Sequence, residues 1–267
     1  APETMPAAPF RRIVLLGAPG VGKGTYARRL GATLGLEHVV VGDLVRGEIK
    51  AGSAVGRRIQ GYAARGDLVP DGFVLDLVFA HLDKTGVASK GFLLDGIPRT
   101  IAQAQALDAR LPPDLALHLT MDEEVMLLKM TARRLGPDNN VYNVAYIKRE
   151  GWDMPPLLPE PTHVDEANGT LRCAHGSELR PNEHVTCARC VGGLTMRADD
   201  TEDVCRHRLR EYKAQSLPVV DHYAPIRLDF EIDGGVTQCL PRLLALVTGA
   251  RAAGRGEGGQ GSPRSKL

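Results

Sequence analysis

The chain has 267 residues, 43% hydrophobic and 24% charged, which suits one sizeable α/β domain carrying an inserted subdomain. A net charge of +1 and an aromatic content of 4% argue against a nucleic-acid surface, and no apolar run approaches the ~18 residues needed to span a membrane. Five cysteines, an odd number, argue against a disulfide framework, and Ala1–Pro9 lacks the apolar core of a secretory signal.

Residues 1–10 read as a flexible Pro/Ala-rich start. Ile13–Leu16 is a short apolar run flanked by Arg11-Arg12 and Gly17, which predicts a buried parallel strand. The loop Gly17-Ala18-Pro19-Gly20-Val21-Gly22-Lys23-Gly24-Thr25 follows, and then a helix over Tyr26–Leu34. Strand, glycine-rich loop and helix form the setting of a phosphate-binding loop. The glycines let several backbone N–H groups point inward, the helix adds the positive end of its dipole, and Lys23 supplies a full charge. Thr25 is placed to hold Mg²⁺ or a phosphate oxygen. The hydroxyl comes one place later than in the common G-x-x-x-x-G-K-[ST] form, because Gly24 follows the lysine.

His38–Val41 predicts a second strand, and Asp43 is a candidate N-cap for a helix over Leu44–Lys50. Helices over Val55–Arg65 and Asp71–His81 follow, then a third strand over Gly91–Leu94 ending in Asp95-Gly96. Thr100–Arg110 reads as helix, Leu115–Thr120 as strand and Asp122–Leu135 as helix. Between Gly136 and about Thr195 the periodicity disappears, too long a stretch for a plain loop, so a lid or small subdomain is expected. Helical pattern returns over Asp199–Leu217, a fifth strand covers Ile226–Ile232, and a last helix covers Val236–Leu246. The expected fold class is α/β, a five-stranded parallel sheet flanked by helices, with an acceptor-binding helical subdomain and an inserted lid. Its parts are a core over 11–135 and 197–249, a subdomain over 40–69, a lid over 136–196 and a disordered tail over 250–267.

Ligands in such sheets bind beyond the carboxyl ends of the strands. Arg46 and Arg99 follow the second and third strands there, placed to clamp a second phosphate group, and Asp95 could hold the water shell of Mg²⁺.

The stretches GAPGVGKGT, DGIPRT and RADD together resemble the adenylate kinases of the nucleoside-monophosphate kinase family, over about residues 11–249. The resemblance implies Mg-dependent, reversible transfer from ATP to AMP giving two ADP, with GTP:AMP or UMP/CMP transfer as the alternative. A non-catalytic nucleotide-binding scaffold is a second alternative. It implies that Gly20, Val21, Gly22, Lys23, Gly24 and Thr25 hold the donor phosphates. Arg133, Val141, Tyr142 and Gly234 to Val236 would touch the donor. AMP would fall to Val41, Gly42, Arg46, Asp67, Leu68, Val69, Gly96, Ile97, Pro98, Arg99, Gln103, Arg197 and Arg208. Lys23, Arg99, Arg133, Arg197 and Arg208 would surround the transferring phosphoryl group as the catalytic set. Thr100 and Gln103 favour AMP over pyrimidine acceptors. This sequence departs from the family's pattern at Val41, where a Thr or Ser is usual, and at Lys129, where an arginine usually stacks on the donor base. A monomer is expected.

The lid is longer than the family's forms, by roughly thirty residues. Cys187-Ala-Arg-Cys190 resembles the second half of the family's zinc lid, and the first cysteine pair is missing from its place near Gly136. Cys173 with His175 or His184 could complete a Cys₃His zinc site. The chain closes on Ser265-Lys266-Leu267, the form of a peroxisomal address read by an import receptor. The expected location is therefore a peroxisome or related microbody such as a glycosome, with the cytoplasm as alternative.

Overall fold

A computed structural model describes residues 10–253 apart from 66, 139 and 198. The core sheet is wholly parallel. Its strands are β1 (Arg12–Leu16), β2 (Glu37–Val40), β3 (Phe92–Asp95), β4 (Leu115–Thr120) and, late in the chain, β11 (Arg227–Glu231), in the order β11-β4-β1-β3-β2. Alternation along the strands feeds two cores, one on each face. Ile13 and Leu15, Leu93, and Leu115, Leu117 and Leu119 point to one face. Val14 and Leu16, Phe92 and Leu94, and Ala116 point to the other.

The first face is covered by α1 (Lys23–Leu34) through Tyr26, Ala27 and Leu30, and by α11 (Val236–Ala253) through Cys239, Leu243 and Val247. The second is covered by α4 (Asp71–Thr85) and α6 (Ile101–Arg110), through Val74, Val78, Leu82, Ala104 and Leu107. The helices α2 (Val41–Ala51) and α3 (Ala54–Arg65) stand beside the sheet's edge, and the short α5 (Val87–Lys90) precedes β3. A Cβ on Gly56 would lie 2.0 Å from the Glu48 carbonyl oxygen, so α2 and α3 touch backbone to backbone there.

Several boundaries differ from the sequence expectation. The helix expected from Asp122 to Leu135 is α7 (Glu123–Thr131), with Asp122 accepting the Val125 N–H as N-cap. Arg133–Leu135 instead forms β5 and pairs with β6 (Val141–Asn143), because backbone partners across the hairpin outweigh a modest helical preference. Asp43 is not an N-cap: α2 already starts at Val41, and Asp43 pairs with Arg46 in its first turn. The last long pattern before β11 divides into α9 (Glu202–Glu211), a π-helical turn over Tyr212–Ser216, and α10 (Leu217–His222). Residues 250–253 continue α11 rather than opening a tail. Most of 1–10 and the remainder of the tail, Ser265-Lys266-Leu267 included, lie outside the described residues.

The insertion builds small antiparallel pairs. After β6 come the hairpin of β7 (Ile147–Arg149) and β8 (Trp152–Met154), then β9 (His163–Val164) with β10 (Leu171–Arg172), and the short helix α8 (Ala188–Val191). Its apolar residues Val144, Tyr146, Ile147, Leu158, Leu179 and Val185 join the first core. Among the described residues, no helix is long and apolar enough to cross a membrane.

Candidate functional site

The loop after β1 turns where the sheet's carboxyl ends converge. Gly17 adopts φ 135°, and a Cβ there would fall 2.4 Å from the Leu119 carbonyl oxygen, so only glycine fits. Gly20 adopts φ 84° with the same restriction from the Met130 side chain at 2.6 Å. Lys23 opens α1, and its Nζ donates to the carbonyl oxygens of Gly17 (2.6 Å) and Ala18 (2.9 Å), across the mouth of the loop. Burial brings its pKa down to about 8, against the opposing pull of Asp95, and the charges of Arg99, Arg208 and Arg133 lower it further. All four charged side chains lie near enough for their charges to act on this one ammonium group. Thr25 is exposed at the start of the helix.

Asp95 ends β3 and is buried. Burial pushes its carboxyl up, but the His38 contact and the charges of Lys23, His38 and Arg99 outweigh burial and hold it below the usual carboxylate range. His38 Nε2 lies 3.6 Å from Asp95 Oδ2. A Cβ on Gly24 would lie 3.3 Å from the same oxygen, so the carboxylate sits against the first turn of α1.

Arg99 follows the cis Ile97–Pro98 peptide, and its Nε donates to the Gly96 carbonyl oxygen (2.9 Å). A Cβ on Gly96 would meet the Arg99 guanidinium (3.3 Å), Val41 Cβ (3.7 Å) and Gly42 N (4.0 Å), so these expected acceptor residues lie together. Arg46 stacks over Gly42 and stays exposed, paired with Asp43. Gln103 is buried, and its amide is engaged inside the protein: Oε1 accepts the Arg99 N–H (2.7 Å) and Nε2 donates to Asp71 (2.7 Å). Thr100 caps α6 and donates to the other Asp71 oxygen (2.8 Å). A cavity of about 370 Å³ opens beside them, lined by Tyr62, Leu68, Val69, Thr100, Glu211 and Gln215 among others. Asp67 at its rim pairs with His207 of α9 (2.9 Å) and with Arg65 (2.7 Å).

Two carboxylates missed as site residues hold the arginines from behind. Asp200 is fully buried and takes both Arg133 nitrogens, Nε at 2.7 Å and the second terminal nitrogen. Burial alone would lower the Arg133 pKa, but this bidentate partner raises it overall. Asp199 accepts from Arg208 at 2.9 Å, and Asp200 lies 3.9 Å from the same guanidinium. The adjacent acidic pair after Arg197 was the available signal. Arg197 feels Arg133 and Arg46 as like charges, after burial the main causes of its lowered pKa.

The lid residues take their own places. Tyr142 on β6 donates its hydroxyl to Asp138 (2.5 Å), and Val141 is exposed. Val236 opens α11 and packs on the first core. Lys129 on α7 reaches the loop: its Nζ lies 3.6 Å from where a Gly22 Cβ would stand, and burial brings its pKa to about 8.

In the insertion, the ligand atoms of Cys173, His175, Cys187 and Cys190 all lie within 4.8 Å of one another. His175 rather than His184 joins the cysteines; His184 lines a separate lid cavity of about 310 Å³ beside Tyr146. His175 Nδ1 is 3.3 Å from the Cys190 sulfur, while its Nε2 is 3.6 Å from Glu160.

The family model described as adenylate kinase matches residues 15–227. The chain belongs to the adenylate kinase family. Among its relatives is a protein named probable adenylate kinase 6, chloroplastic, of Arabidopsis thaliana, 36% identical over 241 residues, 86% of this chain and 72% of that protein. The adenylate kinase of Thermodesulfovibrio yellowstonii is 36% identical over 80% of this chain and 86% of its own length. A protein named GTP:AMP phosphotransferase of Plasmodium falciparum is 32% identical over 84% of this chain and 91% of its own. The protein is accordingly a nucleoside-monophosphate kinase, a phosphotransferase of the α/β class expected from its sequence.

Proposed function

We propose that the protein transfers the terminal phosphoryl group of MgATP to AMP, reversibly, giving two ADP. The observation that carries this reading is the Lys23 ammonium held across the mouth of the glycine loop by the Gly17 and Ala18 carbonyl oxygens, near enough to Asp95, Arg99, Arg133 and Arg208 for their charges to act on it. Phosphoryl transfer asks for alignment and charge neutralisation rather than covalent help from the protein. Gly20 to Thr25 and Lys23 cradle the donor phosphates. Arg46 and Arg99 hold the acceptor phosphate, and Arg133, Arg197 and Arg208 meet the charge between the two. The cavity beside Leu68 and Val69 takes the acceptor's base. Val141 and Tyr142, carried on the lid hairpin, and the turn at 234–236 flank the donor nucleoside.

Mg²⁺ fits this site: a buried carboxylate held ionised, Asp95, faces the first turn of α1 near Thr25. Bound there with nucleotide, the ion would neutralise phosphate charge. The insertion's Cys₃His cluster fits a structural Zn²⁺. Its four ligand atoms lie within 4.8 Å of one another, close enough to draw onto one ion, and Glu160 stands 3.6 Å from the histidine's Nε2. If Leu267 is the natural terminus, Ser265-Lys266-Leu267 addresses the protein to a peroxisome-type organelle.

The test is a coupled ADP-formation assay crossing ATP and GTP with AMP, CMP, UMP and GMP. Mg-dependent turnover with ATP and AMP is the expected result. Turnover with GTP or a pyrimidine acceptor in preference would rename the substrates. Bound nucleotide without turnover by any pair would overturn the reading in favour of a scaffold.

A further inference from the structure

Lys23 and Lys129 both reach the glycine loop, and they are treated differently there. Lys23 Nζ is held by the Gly17 and Ala18 carbonyl oxygens, with Asp95 as an opposing charge. Lys129 comes from the last turn of α7, where Asn143 fixes its backbone by donating to the Lys129 carbonyl oxygen (2.8 Å). Its Nζ lies 3.6 Å from where a Gly22 Cβ would stand. Among the described residues its hydrogen-bonding neighbour is the Met121 sulfur at 3.7 Å, a weak acceptor. No carboxylate acts on this ammonium; the one titratable group that does is the Cys239 thiol.

An ammonium drawn out of water with no opposite charge is costly to the folded protein. The side chain is nevertheless only half-buried, so a solute can reach it. The Gly22 N–H donates to no acceptor among the described residues. A glycine's N–H and its Cβ position share one Cα, so Lys129 Nζ stands beside whatever that N–H receives. The sequence places this lysine where an arginine was expected to lie on the donor base. A guanidinium is flat and stacks; an ammonium is a compact point charge that serves oxygen instead.

We propose that Lys129 is a second phosphate-binding lysine of the donor site, its ammonium donating to a phosphate oxygen of the donor triphosphate beside Gly22. This rests on the reading of Gly20–Thr25 as the cradle of the donor phosphates. The triphosphate then supplies the negative charge that the protein withholds from Lys129, and the contact is blind to the identity of the donor's base.

Lys129→Met keeps a stem of similar length and removes the charge, and its two effects have opposite signs. Without ligand, the variant loses an uncompensated ammonium and should melt higher than unmodified protein. With ligand, it loses a charged hydrogen bond. The experiment measures calorimetric affinities of inorganic tripolyphosphate, ATP and GTP, with AMP as control, for the full chain, Lys129→Met and Lys23→Met. Lys129→Met should weaken tripolyphosphate, ATP and GTP alike, by roughly tenfold or more, and leave AMP unchanged. Unaltered tripolyphosphate affinity in Lys129→Met would overturn the proposal. So would a loss confined to ATP, which would give Lys129 to the base, or a lower melt with AMP weakened equally, which would make it a packing residue. Weakened binding in Lys23→Met would leave the donor cradle standing in each of these cases. Tripolyphosphate that binds both variants as it binds unmodified protein would overturn the cradle as well.

Discussion

Asp200→Ala would remove the carboxylate that fixes Arg133, and its cost can be set against that of its neighbour. Asp200 is fully buried, with both oxygens on the Arg133 guanidinium and a second arginine 3.9 Å away. Removing one partner of a buried pair leaves an uncompensated charge, at about 3–5 kcal/mol. For a chain of this size each kcal/mol moves Tm by about 2–4 °C, so a fall of about 6–20 °C is expected. Asp199 is about a third exposed and makes one close contact with Arg208, so Asp199→Ala should cost at most about 1 kcal/mol and a few degrees. Freed of its bidentate anchor, Arg133 would also leave its place beside Lys23, and turnover should drop at least tenfold at temperatures where both variants are folded. Scanning fluorimetry and the coupled ADP assay, run on the pair of variants, read both effects. An Asp200→Ala protein that melts no lower than Asp199→Ala would refute the claim that burial and bidentate geometry make this carboxylate the anchor.

Lys23 sets a pH dependence of definite sign. Its folded pKa, about 8, lies below the ordinary lysine value of 10.5, so the unfolded chain holds more protons between those values and stability rises with pH across that window. Donor binding needs the charged ammonium and runs the other way. Affinity for ATP, followed by calorimetry, should weaken above pH 8 by up to about tenfold per unit for each proton involved; a flat profile to pH 10 would contradict the assigned role. Lys23→Ala should cut turnover by about a thousandfold or more while the melting curve stays close to wild type; a near-normal rate would remove Lys23 from the site. Gly56→Ala would drive a methyl into the Glu48 carbonyl and should cost about 1–3 kcal/mol in denaturant unfolding, against a negligible effect at the open Gly47. Metal analysis should find one zinc per chain, lost in Cys190→Ser together with thermal stability; unmodified protein that is metal-free after purification in zinc-supplemented medium would count against the Cys₃His site.

The parts of the site legible in the sequence are those that are contiguous in it. The strand, glycines, Lys23 and Thr25 form one local unit, and Asp95 to Arg99 form another, so spacing alone conveys their geometry. The ends of the long helical patterns were less legible. Arg133–Leu135 has side chains compatible with a helix, and the backbone partners at 141–143 and at Thr195 divert it. Likewise the three-residue strands of the β7–β8 hairpin are too short for alternation to register, and Gly151 is their sole turn signal. The choice between His175 and His184 also lay beyond spacing, since both follow Cys173 within reach of a folded loop.

By itself, then, the amino-acid order determined the parallel α/β core, its phosphate loop and the family, because each is written in short-range patterns of apolar residues and glycines. The tertiary structure alone decided which charges face one another. Arg133 and Asp200 are separated by 67 positions, and the inserted hairpin meets α7 and the turn before α11 from opposite directions in the chain. Those pairings depend on where a closed backbone brings distant segments together, and no local preference of either partner encodes them.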